Sequence, residues 1–307
     1  EIKVFEQSDG QVNVFADGDP LVTQTVPNLL TTSTAVSNGL SVATPIFKGN
    51  NGPLVLRSGK LEGLVTSRDT TIPKYLTDLD TLATAVIQEF NKIHSDGQGL
   101  KGLSTTTGVF KPTSTTGNLN AVGLALTPVN GTFNLDVRNK NTGEILTTTI
   151  EVDLDGLATD TTLASLRAAL DAVANVSSTI GPDNALTILA DTADYEFSFS
   201  NDTSNALAAL GINVFFTGAN ASDIAVSSVV DADVTLLAAA QTSADGDNAN
   251  ALLMAGLRTS KVMTSNTASI LDFYQGSVGT LAVETAGKVD GFGNQQLRID
   301  LLENQRQ

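Results

Sequence analysis

The stretch that decides the fold is IPKYLTDLDTLATAVIQEFNKIH, residues 72–94. Its apolar positions recur alternately four and three residues apart, which is the heptad spacing of a helix that packs lengthwise against another helix. Polar residues such as Asp78, Asp80 and Lys92 fall between those positions, and Asp96 with Gly97 marks the end of the helix. The predicted packing seam consists of Ile72, Leu76, Leu79, Ala83, Val86, Phe90 and Ile93.

The partner helix is predicted at the far end of the chain, where the same spacing returns from Leu271 onward. The spacing is weaker between Thr285 and Gln295, where three glycines lower the helix propensity. The second part of the seam consists of Leu271, Tyr274, Val278, Leu281, Phe292, Ile299 and Leu302. If these two distant helices pack together, everything between them is an insertion.

The remaining stretches predict the other parts of a multidomain α+β fold. Residues 1–66 alternate apolar and polar residues between Gly- and Asn-containing turns, which predicts a β-rich segment of short hairpins. Residues 67–97 and 241–307 form the predicted discontinuous, coiled-coil-like helical trunk, which includes a shorter helix from Asn248 to about Val262. Residues 98–120 are rich in Gly, Ser and Thr and predict a linker, and residues 121–240 predict an inserted α+β domain.

The composition narrows the possible functions. The 307 residues include 33 acidic and 17 basic ones, and the resulting net charge of −16 disfavours nucleic acid and anionic membranes as partners. The longest apolar runs are too short to span a bilayer, so no membrane insertion is predicted. Glu1 to Phe5 alternate like a strand and have no basic flank, which gives no sign of a signal peptide.

Motifs that could carry chemistry are weak. The chain has no cysteine, and its single histidine, His94, is predicted to be a solvated residue in the last turn of its helix. Two aspartate-rich stretches, 153–156 and 245–247, resemble fragments of calcium loops, but turn formation and helix capping are the favoured interpretation. No catalytic residue, cofactor site or metal site is therefore predicted, and the chain is predicted not to be an enzyme.

Several stretches resemble a known family. They are DGQVNVFADGDPLV ending at Val22, GKLEGL at 59–64 followed by Arg68 and Asp69, the helix TDLDTLATAVIQEFNKIHSDG at 77–97, ALAALGINVFFTGANASDIAV at 206–226, and GDNANA at 246–251. Together they are similar to the flagellar hook-associated protein 1 family, whose members form the first hook–filament junction. The segment 206–226 is the most specific of these matches.

This resemblance implies a structural role in the extracellular bacterial flagellum, after export by the flagellar type III apparatus. It implies hook protein below and a second junction protein above as partners, and self-association into a ring when the protein is full length. It also implies an export chaperone that binds a C-terminal segment, and a chain that lacks helical segments of the family at both ends.

Two other classes share some of these features. A flagellin-like or filament-cap axial protein would also be acidic and exported, although the stretches at 206–226 and 246–251 favour the junction protein. A surface adhesin that binds through the domain at 121–240 is the other alternative.

Overall fold

The computed structural model describes residues 2–16, 18–24, 26–37, 40–157 and 159–305. Helices and strands alternate along the chain, which confirms the predicted mixed α+β class. The chain divides into two units, Glu1–Leu76 and Thr77–Gln307.

Strands dominate the start of the first unit. They are β1 (Ile2–Glu6), β2 (Val12–Ala16), β3 (Asp19–Thr23) and β4 (Val26–Pro27), which form one antiparallel sheet in that order, and β5 (Leu30–Ser37) and β6 (Leu40–Phe47), which form a hairpin. At the first turn Gly10 has a φ of +79°, and its N–H donates to the carbonyl of Gln7 at 3.0 Å. Gly adopts this conformation without strain. The pairing of neighbouring strands confirms the predicted short hairpins in this segment.

The helical part of the chain begins earlier than predicted. Helix α1 (Gly59–Thr66) continues through a π-helical stretch (Ser67–Thr71) into helix α2 (Ile72–Ser95). The β-rich segment therefore ends before residue 66. Asp69 lies inside this helical stretch, where its carboxylate pairs with Arg68 at 2.6 Å. The predicted end, just before Asp96, is confirmed.

The second unit contains the main hydrophobic core. Its strands are β7 (Thr105–Thr107), β8 (Gly131–Asn139), β9 (Ile145–Val152), β10 (Val176–Ile180), β11 (Leu186–Ala190) and β12 (Tyr195–Ser200), and its helices here are α3 (Leu163–Asp171) and α4 (Ala206–Leu210). The antiparallel sheets β12-β8-β9 and β10-β11-β7 share this core. Its largest fully buried side chains include Phe133, Phe197, Phe199, Leu166 and Ile188. A capping box between Thr162 and Ser165 starts α3.

Residues 98–120 are not a linker, contrary to the prediction. Strand β7 pairs with β11, and Leu103 and Leu119 are buried in the same core as the phenylalanines. The N–H of Leu103 also donates to Phe197 O at 2.7 Å. Gly, Ser and Thr give this stretch the composition of a linker, yet its few apolar residues are enough to fix it in the core.

The remaining elements complete the second unit. They are β13 (Phe216–Thr217), β14 (Ala225–Val226), α5 (Ser228–Ala232), α6 (Ala249–Gly256), β15 (Lys261–Met263), β16 (Ala268–Ser269) and α7 (Ile270–Gln305), with 3-10 turns at Leu119–Ala121 and Val234–Leu236. Helix α6 ends at Gly256, before the predicted Val262, and the chain continues into strand β15 from Lys261. Helix α7 runs without interruption through Gly287, Gly291 and Gly293. Among the described residues, every helix falls short of the length and apolar character needed to cross a membrane.

Candidate functional site: the polar joint at the end of helix α2 and the exposed helix α7

Four polar side chains meet where helix α2 ends. We name this cluster, Asn91, His94, Asn213 and Asn250, the joint. Asn91, His94 and Asn250 are buried, with exposed fractions of 1%, 0% and 0%. A buried polar group is costly unless it is hydrogen-bonded, so the partners of these groups define what the joint does.

Asn91 fixes the segment that leads into β13. Its Oδ1 accepts hydrogen bonds from the N–H groups of Phe215 at 3.1 Å and Phe216 at 2.9 Å. Its Nδ2 donates to Phe216 O at 2.8 Å. One amide side chain therefore satisfies three backbone groups on a segment more than a hundred residues away.

An aromatic cluster packs beside these hydrogen bonds. The ring of Phe90 lies 5.0 Å from that of Phe215 and 5.2 Å from that of Phe216, between ring centroids. The imidazole of His94 lies 5.7 Å from the Phe215 ring. Tilted and edge-on contacts at such distances are favourable between aromatic rings. The sequence stretch at 206–226 thus supplies the packing partner of the second half of α2.

His94 is buried, so the prediction of a solvated histidine is wrong. Its Nδ1 lies 2.8 Å from Asn213 O, and its Nε2 lies 3.1 Å from Ala238 N. Burial lowers the pKa of the imidazole, and the hydrogen bond to Asn213 raises it. The sequence shows the position of His94 on its helix but not the two distant segments that cover it.

Asn213 and Asn250 satisfy the last carbonyl groups of α2. Asn213 Nδ2 donates to His94 O at 3.3 Å and to Gly97 O at 3.0 Å, and Asn250 Nδ2 donates to Ile93 O at 2.9 Å and to Ala238 O at 2.7 Å. Helix ends leave such carbonyls without partners in the helix itself. Gly97 is required here, since a Cβ at this position would lie 2.1 Å from Asn250 Nδ2.

Two carboxyl groups, those of Asp96 and Asp202, lie next to the joint. Asp96 Oδ1 accepts from Asp202 N at 2.6 Å, and burial raises the pKa of Asp96 to about 6. The Asp202 carboxylate accepts from Leu207 N at 3.1 Å, and burial raises its pKa as well. Asp96 lines a cavity of about 840 Å³ together with Asp136 and Asp247. These carboxylates accept hydrogen bonds from neighbouring hydroxyl or backbone N–H groups, which is a structural role.

The two aspartate-rich stretches form turns, as predicted, but neither provides the N-cap residue of the helix that follows. Oxygens of Asp153, Asp155 and Asp160 lie within 4.8 Å of one another. They accept backbone N–H groups of the same turn, such as Leu157 N on Asp155 at 2.8 Å. In the second stretch, Asp247 accepts from Ala249 N, at the start of α6, at 2.9 Å, whereas the N-cap residue of α6 is Asn248.

The structure places the seam residues of α2 in two environments. Ile72, Leu76 and Leu79 are exposed, and Ala83, Val86, Phe90 and Ile93 are half-buried. The buried residues of the helix are Ile87, Asn91, His94 and Ser95. Three of these directly follow seam positions, so the most buried face lies one residue further along the helix. Two residues of that face, Asn91 and His94, are polar, so a pattern based on apolar residues does not identify it.

Most of the seam residues of α7 are exposed to solvent. Leu271 is half-buried, and the exposed ones are Tyr274, Val278, Leu281, Phe292, Ile299 and Leu302. Within the described length of α7, none of the side chains is buried. Exposed apolar residues on a continuous helix are typical of a surface that associates with another helix. The packing of this seam in a helical trunk stays a prediction.

Comparison with known proteins gives a family match for the first part of the chain. Residues 1–110, which include α1 and α2, match the family model of the flagellar hook-associated protein FlgK helical domain. This part of the chain is therefore similar to that helical domain, and the resemblance found in the sequence is confirmed over these residues. Among solved structures, the flagellar hook junction protein FlgK from Burkholderia pseudomallei is similar, at 16% identity and a TM-score of 0.47, over 100% of this chain and 75% of that chain. Among curated proteins, none matches the chain.

Proposed function

We propose that this chain is a structural component of the bacterial flagellum that joins the hook to the filament, and that it is not an enzyme. The observation that carries the proposal is the match of residues 1–110 to the helical domain of a hook-associated protein. The continuous helical stretch from Gly59 to Ser95 supports it, because a long helix suits a subunit that stacks along an axis.

The proposed mechanism uses the two helical surfaces. Residues 67–97 and 241–307 form the trunk, and the apolar residues of α7 are covered when subunits associate. Burying an exposed apolar side chain of this size contributes roughly 1–3 kcal/mol, so several along one helix give a stable contact. The joint supports the trunk by fixing the end of α2 to the segments around Phe215 and Ala238.

In the assembled flagellum we propose hook protein below, a second junction protein above and copies of the same protein in a ring. Secretion by the flagellar type III apparatus, with a chaperone on a C-terminal segment, would deliver the subunit to the outside. The net charge of −16 supports protein partners and disfavours nucleic acid.

The test compares two valines on the same helix. Val278 belongs to the predicted seam and is 47% exposed, whereas Val283 lies on another face and is 74% exposed. Val278→Asp and Val283→Asp are introduced into the protein, which is expressed in a strain that lacks its hook–filament junction protein. Filament growth is observed by electron microscopy, and motility by swimming in soft agar.

We expect the unchanged protein and Val283→Asp to restore filaments, and Val278→Asp to restore few or none. Both variants of the purified chain should melt like the unchanged chain, since substitutions at exposed sites change stability by about 0.5 kcal/mol or less. An unchanged protein that restores no filament growth would contradict the proposed function. Full restoration by Val278→Asp would contradict the seam alone.

A further inference from the structure

Both ring nitrogens of His94 have a fixed role. Asn213 O can only accept a hydrogen bond, so Nδ1 must donate to it, and Ala238 N–H can only donate, so Nε2 must accept. The imidazole in the joint is therefore neutral, with its proton on Nδ1. A second proton on Nε2 would point at another N–H group in a site where the side chain is fully buried.

We infer that the joint is an acid-labile latch: a proton on Nε2 of His94 releases the end of α2 from the segments around Asn213 and Ala238. The proton converts an accepted hydrogen bond into a contact between two donors. It also places a positive charge in a buried site, which is unfavourable without a nearby partner of opposite charge.

Charged groups on the elements around His94 have other partners. Glu89 and Lys92 on α2 pair with each other at 2.6 Å. Asp96 accepts from Asp202 N, Asp233 accepts from Thr235 and pairs with Lys101, and Asp247 accepts from Gln241, Thr242 and Ala249. Within the described part of the chain, the carboxylates among these make their hydrogen bonds away from the imidazole. Among the described residues, none of these carboxylates has a hydrogen bond to the imidazole.

The sign of the pH effect follows from the burial of His94. Burial lowers its pKa in the folded protein, whereas in the unfolded chain it titrates near 6.5. Below that pH the unfolded or opened state binds a proton that the closed joint excludes. Each unit by which the pH falls below 6.5 therefore lowers the equilibrium constant for closing the joint by up to about tenfold, until the pKa of His94 in the folded protein is reached.

Opening is expected to be local. The main hydrophobic core lies between Leu103 and Ile212 and includes none of the four residues of the joint. The sheets around Phe133 and Phe197 therefore have their own source of stability. The latch predicts that amides at Ala238 and Phe215 lose protection while those in β8 keep it.

The experiment uses the single histidine of the chain. Protein labelled with 15N-histidine gives side-chain signals that need no assignment, and amide hydrogen exchange is followed in parallel between pH 7.5 and 4.5. The Asp96→Asn variant is measured beside the unchanged chain, because acid stabilises the fold through Asp96 and would partly offset the effect of His94.

At pH 7.5 we expect a protonated Nδ1 and a bare Nε2. The titration midpoint should lie below 6.5, and below it Ala238 should lose protection at least tenfold while β8 is unchanged. His94→Gln, which cannot titrate in this range, should abolish this pH dependence; if it does not fold, the measurements on the unchanged chain decide. A histidine that titrates while Ala238 stays protected overturns the latch, and so does simultaneous loss of protection in β8.

Discussion

The two long helices of this chain carry similar apolar spacing but have different surroundings. The second half of α2 is half-buried or buried and contacts Phe215, Phe216 and the joint. Helix α7 has the same alternation of four and three residues, yet none of its described side chains is buried. The difference teaches that heptad spacing identifies a face of a helix without identifying what covers it.

The contrast also shows what holds each helix. Polar side chains fix α2, because Asn91 and Asn250 bind backbone groups of distant segments. In α7 the helix is stabilised by its own backbone hydrogen bonds and by the contacts of its first residues with β15 and β16. Mutations at matched positions of the two helices should therefore differ strongly in their effects.

The largest difference is expected at two asparagines. Asn91→Leu removes three hydrogen bonds and leaves the N–H groups of Phe215 and Phe216 without their acceptor, which should reduce the free energy of unfolding by about 3–5 kcal/mol. Asn294→Leu on exposed α7 should change it by about 0.5 kcal/mol or less. Urea unfolding of both variants measures this. Equal effects would show that Asn91 does not secure α2.

A smaller difference is expected at two isoleucines. Ile87 is 3% exposed, so Ile87→Ala should lower the free energy of unfolding by about 2–3 kcal/mol through lost packing and a residual cavity. Ile299 is 48% exposed, and Ile299→Ala should have little effect. Thermal melting of the two variants makes the comparison. A stability loss at Ile299 that matches the loss at Ile87 would mean that α7 is covered within the single chain.

The smallest effect is expected at Asp96. Its pKa is about 6 in the folded chain and near 3.9 when unfolded, so the folded state binds more protons between these values. Stability contributed by this group is therefore highest below about pH 4 and is lost as the pH rises through 6.

Asp96→Asn keeps the acceptor for Asp202 N and should raise the free energy of unfolding at pH 7. The shift corresponds to nearly 3 kcal/mol, which solvent around the half-buried group reduces to about 1 kcal/mol. The gain should vanish at pH 4. Melting curves at both pH values check it, and a loss of stability at pH 7 would contradict the assigned cause.

Much of the fold follows from local sequence patterns. The hairpins before Phe47 agree with the predicted β-rich segment, and the strands and helices between Gly131 and Leu210 agree with the predicted mixture of both within residues 121–240. The end of α2 at Ser95 and the turn at Asp247 before α6 also follow from nearby residues. These features depend on a few neighbouring residues, so the sequence is enough to predict them.

The joint could not be predicted in the same way. The sequence around His94 predicts an exposed side chain. The segments at Asn213 and Ala238 that bury it are far away in the sequence, so nothing near His94 indicates them. Asn91 falls between seam positions, so the spacing of the apolar residues does not indicate that it is buried. Residues 98–120 have the composition of a linker, yet Leu103 and Leu119 are core residues. Long-range contacts decide each of these cases.

The joint connects segments that are far apart in the sequence, which bears on the order in which the chain folds. The hydrogen bonds that link residues 91–97 to the other parts of the joint connect positions that are 116 to 157 residues apart. Closing so long a loop is entropically unfavourable until the intervening residues are compact, so we expect the strands between Leu103 and Ile212 to fold before the end of α2 is fixed. A defect in that core would therefore also leave the end of α2 loose, and a protease would detect both faults at once.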